Sequence, residues 1–208
     1  MESKILKGTT TIGLTCSDGI VLVADKRASW GSFVASKDAR KIFNINDVVG
    51  ATVAGSVGDA EALMRVIRAE ASLYEMNNKK KMSANAVASL LANILQGNKI
   101  FPYLVQLVIA GMDTDIRLFT LDPIGGLIEE KMASSGSGSP VAYGVLELQY
   151  SHEKSVDENI PVALRALKSA MARDTATGDG IGLATITKDG FKEYTKEEID
   201  ALMDGNNS

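Results

Sequence analysis

The chain has 208 residues and a formal net charge of −4, a length that suits one domain with a full core. That charge leaves no electrostatic footprint for nucleic acid, and no apolar run approaches the ~20 residues that a membrane helix needs. A single cysteine excludes an internal disulfide framework and suits a reducing compartment, so a cytoplasmic protein is expected.

Residues 1–8 are too short and too polar for a secretory signal. Residues 9–15 alternate and are rich in β-branched side chains. A turn at Asp18-Gly19 joins them to an apolar strand over 20–24, making a hairpin. Residues 41–45, a turn at Asn46-Asp47 and residues 48–54 predict a second hairpin. Asp59 is placed to cap a helix over 59–76, in which Ala62, Leu63, Val66, Ile67, Ala69, Ala71 and Leu73 recur at helical spacing. Lys79-Lys80-Lys81 reads as a solvated loop. Ser83 then caps a second helix with Val87, Leu90, Leu91, Ile94 and Leu95 on one face.

Strands return over 104–110 and 116–121, with Asp113-Thr114-Asp115 turning between them. After breaks at Asp122-Pro123 and Gly125-Gly126, one more strand is expected over 127–134. The Gly/Ser segment 135–139 reads as flexible, and Pro140 opens a helix running to 148. Asp157 is placed to cap a further helix with Ile160, Val162, Ala163, Ala166, Leu167 and Met171 on its buried side. Strands over 181–187 and 191–194 close the pattern, turning at Asp189-Gly190, and the tail from Asp204 is polar and expected to fray. Strands, two helices, strands, two helices and strands in that order predict an α+β layered fold: two packed sheets with a helix pair outside each.

A lone histidine, His152, cannot build a multi-histidine zinc site, and there is no Cys-x-x-Cys pair. His152 lies in a polar link and reads as a surface imidazole; Cys16 reads as a small buried or half-buried side chain. No metal or cofactor is expected, and Ser-His-Asp or Cys-His machinery is disfavoured. Thr9 offers another chemistry. A threonine hydroxyl needs a base beside it, and a threonine released as the chain terminus carries its own, an α-amine with a reference pKa of about 7.7–8.0. Gly8 would leave an unhindered carbonyl at such a cut. Taken alone, Thr9-Thr10-Thr11 reads as an ordinary strand, because threonine is a good strand residue.

Asp25, Lys41 and Asp174 stand at the ends of predicted elements. Singly, each reads as a solvated terminus or surface ion pair. Together they supply what an N-terminal threonine needs: a lysine near the hydroxyl, a carboxylate that keeps the lysine oriented, and a second carboxylate to hold the amine. Glycine-bearing turns at Gly55 and at Gly136–Gly138 let backbone N–H groups approach an oxyanion. The glycine-rich runs at 135–139 and 178–182 lack the spacing and the lysine of a nucleotide loop.

The motifs that carry a resemblance are Gly8-Thr9-Thr10-Thr11-Ile12-Gly13, Ala24-Asp25-Lys26-Arg27-Ala28-Ser29, Lys41-Ile42, Ala54-Gly55-Ser56-Val57-Gly58-Asp59, Ser135-Gly136-Ser137-Gly138 and Arg173-Asp174-Thr175-Ala176-Thr177-Gly178-Asp179-Gly180. In order across nearly the whole chain, they resemble proteasome β subunits of the archaeal kind, and hence the N-terminal-nucleophile hydrolases. The resemblance implies a four-layer αββα sandwich and a threonine endopeptidase. It implies a leader, residues 1–8, removed by self-cleavage, and a single domain over 9–208.

Carried over motif by motif, Thr9 is the nucleophile and Asp25 with Lys41 is the pair beside its hydroxyl. Ser137 and Asp174 hold the new α-amine, with Thr177 where the family commonly has serine, and Gly55 gives the oxyanion donor. Ala28, Ala39, Phe43, Val53, Val57 and Glu61 would line the pocket beside the cleaved bond, and backbone groups of Ser29 and Val57 would pair with an extended peptide. The implied partners are a seven-membered β ring stacked with α-subunit rings, a regulatory ATPase acting through the α ring, and unfolded polypeptide substrates. The alternatives are an unprocessed structural member of the same ring, and an amidohydrolase for a small amide on the same fold.

Overall fold

The structure, a computed structural model, describes residues 8–204. Residues 1–7 of the leader expected over 1–8, and residues 205–208 of the tail expected from Asp204, lie outside the described residues. The first hairpin forms as predicted from β1 (Thr11–Thr15) and β2 (Gly19–Asp25). Every residue of both strands is buried, which accounts for the unbroken apolar run along β2: a strand covered on both faces has no polar side to alternate with. A short second hairpin, β3 (Ala28–Trp30) and β4 (Phe33–Ser36), then stands apart from the two main sheets. The sequence pattern had no signal for it, because its residues are mostly exposed and carry no periodicity.

β5 (Ile42–Asn46) and β6 (Val49–Gly55) follow, then α1 (Val57–Asn78) and α2 (Ala84–Gly97). Ser56, not Asp59, is the N-cap of α1; Asp59 sits in the first turn, and its carboxylate accepts the Leu104 N–H at 3.0 Å. The buried face of α1 is Ala60, Leu63, Met64, Ile67 and Ala71. Val66 and Leu73, expected inside, are 46% and 51% exposed on the flank of that stripe. Ser83 caps α2 as predicted, accepting the Ala86 N–H at 3.2 Å.

β7 (Val105–Met112) and β8 (Ile116–Leu121) match the expected strands. The single strand expected over 127–134 is two. β9 (Leu127–Glu130) pairs with β8 in one sheet, and β10 (Met132–Ser135) pairs with β1 in the other, so the chain crosses between sheets at Lys131. α3 (Ser139–Gln149) and α4 (Val156–Arg173) come next. The cap of α4 is Ser155 rather than Asp157, in a capping box with Glu158. Met171, expected on the buried side of α4, is only partly buried. β11 (Ile181–Thr187) and β12 (Gly190–Glu193) are the last strands, and α5 (Lys196–Asp204) is a helix the sequence pattern did not predict.

The strand order is β10-β1-β2-β11-β12 in one five-stranded sheet and β5-β6-β7-β8-β9 in the other, all antiparallel. α1 and α2 cover the second sheet through one apolar cluster that includes Leu63, Ile67, Leu91, Leu107 and Phe119. α3 and α4 cover the first through another, with Ile12, Val23, Leu146, Ile160 and Leu167. Between the sheets lies a thin layer built from Ile20, Leu22, Ile42, Leu118 and several alanines. The architecture is the αββα sandwich. No helix among the described residues is long and apolar enough to cross a membrane.

Candidate active site

Thr9 lies just ahead of β1, buried to 4% exposure. Its neighbours arrive from both ends of the chain because β1 is flanked by β2 and β10. β2 ends at Asp25, whose side chain is fully buried against Lys41, the residue before β5; Lys41 Nζ donates to Asp25 Oδ1 at 2.7 Å. The same ammonium donates to the Arg27 carbonyl oxygen at 2.6 Å, so two of its three N–H bonds are used here. Asp25 also accepts from the backbone N–H groups of Thr10 (2.9 Å), Arg27 (3.1 Å) and Gly178 (3.0 Å). A carboxylate with those donors is held in one orientation and needs no water. Burial holds the Lys41 amine below its ordinary value of 10.5; the attraction of Asp25 opposes that shift without cancelling it.

The other side of Thr9 is built from the loop before α3 and the end of α4. The Thr9 backbone N–H donates to Ser137 Oγ at 3.3 Å, and Ser137 Oγ donates to Asp174 Oδ2 at 2.5 Å. Asp174 caps the C-terminus of α4. Thr177 Oγ1 donates to the same Oδ2 at 2.5 Å and is 2.8 Å from Thr10 Oγ1. Threonine in place of serine therefore keeps the hydrogen bond, its methyl accommodated in a site that leaves Thr177 1% exposed. The Gly/Ser loop that composition marked as flexible is tied down here: Gly138 N–H donates to the Thr9 carbonyl oxygen (3.4 Å) and Gly136 N–H to Gln106 Oε1 (3.3 Å).

A cavity of about 240 Å³ opens beside Thr9. Ala28, Ser29, Ala39, Phe43, Val53, Val57 and Glu61 all line it, together with Lys41, Gly55 and Gly8. Ser56 and Gly58, members of the quoted 54–59 motif, line it too, as do Trp30, Ala35, Arg40 and Ala60, which had no role in the sequence reading; Trp30, Arg40 and Ala60 each adjoin a residue quoted there, while Ala35 carried no such signal. Gly55 takes φ +127°, and a Cβ there would lie 2.1 Å from the Leu104 carbonyl oxygen, so no other residue fits this turn unstrained.

The Thr9 hydroxyl donates to the Gly8 carbonyl oxygen at 2.6 Å, and Gly8 N–H donates to Ser29 Oγ at 3.2 Å. Gly8 is pressed on Ala176 so closely that a Cβ would fall 1.6 Å from the alanine methyl. The sequence reading missed the roles of Thr10, Gly178 and the Ser29 hydroxyl, which backbone and hydroxyl hydrogen bonds reveal only in three dimensions.

The remaining candidates stand elsewhere. His152 is exposed, its Nε2 3.0 Å from Lys131 Nζ. Cys16 is buried; desolvation pushes its thiol up to about 12, so it carries no thiolate chemistry near neutral pH.

The model of the family described as "Proteasome subunit" matches residues 5–186. A proteasome subunit beta from Methanocaldococcus sp. (strain FS406-22) is 52% identical over 204 residues, covering 97% of this chain and 91% of that one. The proteasome subunit beta of Archaeoglobus fulgidus is 50% identical over 205 residues, covering 98% and 96%. That of Methanothermobacter thermautotrophicus is 49% identical over 208 residues, covering 99% of each chain. With the sandwich fold and a buried threonine at a cavity edge, these matches decide the family. The chain belongs to the proteasome subunits, as a β subunit of the archaeal type and a threonine endopeptidase of the N-terminal-nucleophile hydrolase class.

Proposed function

We propose that Thr9 is the nucleophile of this endopeptidase, unmasked when residues 1–8 are cut off by the chain itself to leave the domain 9–208. The observation that carries the reading is the junction: the Thr9 hydroxyl is hydrogen-bonded to the Gly8 carbonyl, with the Thr9 N–H on Ser137 and Lys41 in the same cavity wall. Thr9 Oγ attacks the Gly8 carbonyl carbon while neutral Lys41 takes the hydroxyl proton. The tetrahedral oxyanion is held by the Gly55 N–H. The C–N bond breaks as Thr9 N regains a proton, leaving the leader as an ester on Oγ, which water hydrolyses to free the α-amine.

In the mature chain the same oxygen attacks a substrate peptide bond. Its proton passes through a water to the new α-amine, which Ser137, Asp174 and Thr177 keep in place. The amine product leaves, and water cleaves the acyl-enzyme. Asp25 orients Lys41 and keeps its position fixed. Ala28, Ala39, Val53 and Val57 around Phe43 give room for a medium to large apolar side chain before the cleaved bond, and the backbones of Ser29 and Val57 extend the substrate as a strand. The chain works in the cytoplasm as one member of a seven-membered β ring stacked with α-subunit rings, fed with unfolded polypeptide by an ATPase docked on the α ring.

The test is the first residue of the purified, assembled particle. Mass spectrometry is expected to find chains starting at Thr9, and Thr9→Ala to keep the leader and lose peptidase activity. Active particles that retain Met1–Gly8 would overturn the reading and leave an unprocessed structural member. Turnover of free amino-acid amides without degradation of an unfolded protein would point to a small-amide hydrolase instead.

A further inference from the structure

Arg27 belongs to neither arm of the site described above, yet it touches both. Its backbone N–H donates to Asp25 Oδ2 (3.1 Å) and its carbonyl oxygen accepts from Lys41 Nζ (2.6 Å). Its guanidinium turns the other way, into the loop that follows α4. Nε donates to Asp179 Oδ2 and Nη1 to the Thr175 carbonyl oxygen, each at 2.6 Å. Gly178 passes flat against the guanidinium; a Cβ there would lie 2.7 Å from Cζ. The loop so gripped, from Asp174 to Asp179, carries the Asp174 carboxylate and the Thr177 hydroxyl.

Two further observations bear on the grip. Asp179 has φ +65°, and among the described residues only Lys79 shares a positive φ without being glycine. The Arg27–Asp179 pair lies at the solvent edge of the loop, so its part is to fix geometry and not to add much stability. Loop backbone returns to the same strand end through Gly178 N–H to Asp25 Oδ2 (3.0 Å) and Lys26 N–H to the Gly178 and Gly180 carbonyl oxygens (3.2 and 3.1 Å).

We propose that Arg27 is a positioning residue: its guanidinium, clamped between Asp179 and the Thr175 carbonyl, sets the spacing between the Asp25–Lys41 pair and the Asp174–Thr177 pair. The proposal rests on the reading of Thr9 as nucleophile with its α-amine held by Asp174 and Thr177. Arginine suits the task because its planar fork reaches two acceptors at once, which a lysine ammonium on a flexible stem does not. Arg27 lies outside the wall of the substrate cavity, so its loss acts on the geometry of the reacting groups and not on substrate affinity.

The experiment measures kcat per processed Thr9 and KM on a peptide substrate, in assembled particles carrying Arg27→Lys, Asp179→Ala or Asp179→Asn. Arg27→Lys and Asp179→Ala are expected to lower kcat by about 10- to 100-fold with KM within about twofold, as displacement of a reacting group by about an ångström does. Asp179→Asn keeps an acceptor for Nε and is expected to retain activity within a few-fold. Amide hydrogen exchange across residues 174–179 should quicken in the first two variants and not in the third. An unchanged kcat, or a loss confined to KM, overturns the clamp. If Arg27→Lys yields no particle, Asp179→Ala decides, because it leaves the Arg27 backbone contacts in place. A Thr9→Ala particle that still hydrolyses the peptide would sink the underlying reading and not the clamp.

Discussion

Lys41 and Lys26 carry the same side chain and meet an aspartate at nearly the same distance, but burial makes them different groups. Lys26 pairs with Asp38 at 2.9 Å with side chains 41% and 83% exposed, where solvent screens the attraction and little stability follows. Lys41 and Asp25 are 7% and 0% exposed, and Asp25→Asn would leave a buried cation unpaired at a cost of about 3–5 kcal/mol. That variant is expected to lose that much stability in urea denaturation. Burial also lowers the Lys41 pKa, so the neutral amine, the proton acceptor in leader removal, grows as pH rises through a value below 10.5. Time courses of leader cleavage should therefore quicken with pH along a limb whose midpoint lies under the ordinary lysine value. Lys41→Arg keeps the charge but cannot give up its proton, and should slow cleavage about 100-fold or more.

At the scale of elements, the helix caps show how local chemistry competes. Asp59 and Asp157 are good capping residues in sequence, yet Ser56 and Ser155 stand at the N-caps, and the two aspartates fall in the first turns, where a negative charge meets the positive end of the helix. Ser155 closes a reciprocal box, accepting Glu158 N–H at 3.3 Å while Glu158 Oε2 accepts Ser155 N–H at 2.9 Å. Ser155→Ala should cost about 1 kcal/mol and lower Tm by about 2–4 °C in calorimetry. kcat should not move, because Asp174 sits at the opposite end of α4. The apolar pattern of α1 misled for a related reason. Hydropathy marks Val66 and Leu73 as apolar but cannot say which apolar residues the sheet covers; the stripe from Ala60 to Ala71 took that place.

For the molecule as a whole, the spacing of the two sheets governs the site, since β1 and β2 belong to one and Gly55 ends a strand of the other. The layer between them includes Ala24, Ala110, Ala133 and Ala184, small side chains that let the sheets approach closely. A hydroxyl chain crosses it: Thr52 donates to Thr11 (2.9 Å), and Thr11 lies 2.7 Å from Ser135 Oγ. Ala184→Leu should overfill this layer and destabilise by about 1–3 kcal/mol in denaturant titration. On the outside, Ile100 and Phe101 are 81% and 88% exposed side by side. Phe101→Asp should leave subunit stability within about 0.5 kcal/mol in denaturant titration.

The sequence by itself determined the layered α+β class, because runs such as Gly19–Asp25 and the periodic helices follow from which residues must leave water. It determined the family as well, through motifs whose order along the chain is read without folding anything. It could not separate β9 from β10: Glu129-Glu130-Lys131 interrupts the apolar pattern, but no glycine or proline marks a turn there, and the change of pairing partner exists only in the fold. Nor could it find the contacts of Thr10, Gly178, Ser29 or the Arg27 side chain. Those are hydrogen bonds spanning more than 10 residues, up to 153, and they exist only once the sheets bring both ends of the chain to Thr9. Which side chains were ionisable was legible from composition; which of them became a buried, oriented pair was decided by tertiary structure, because desolvation is a property of position and not of residue type.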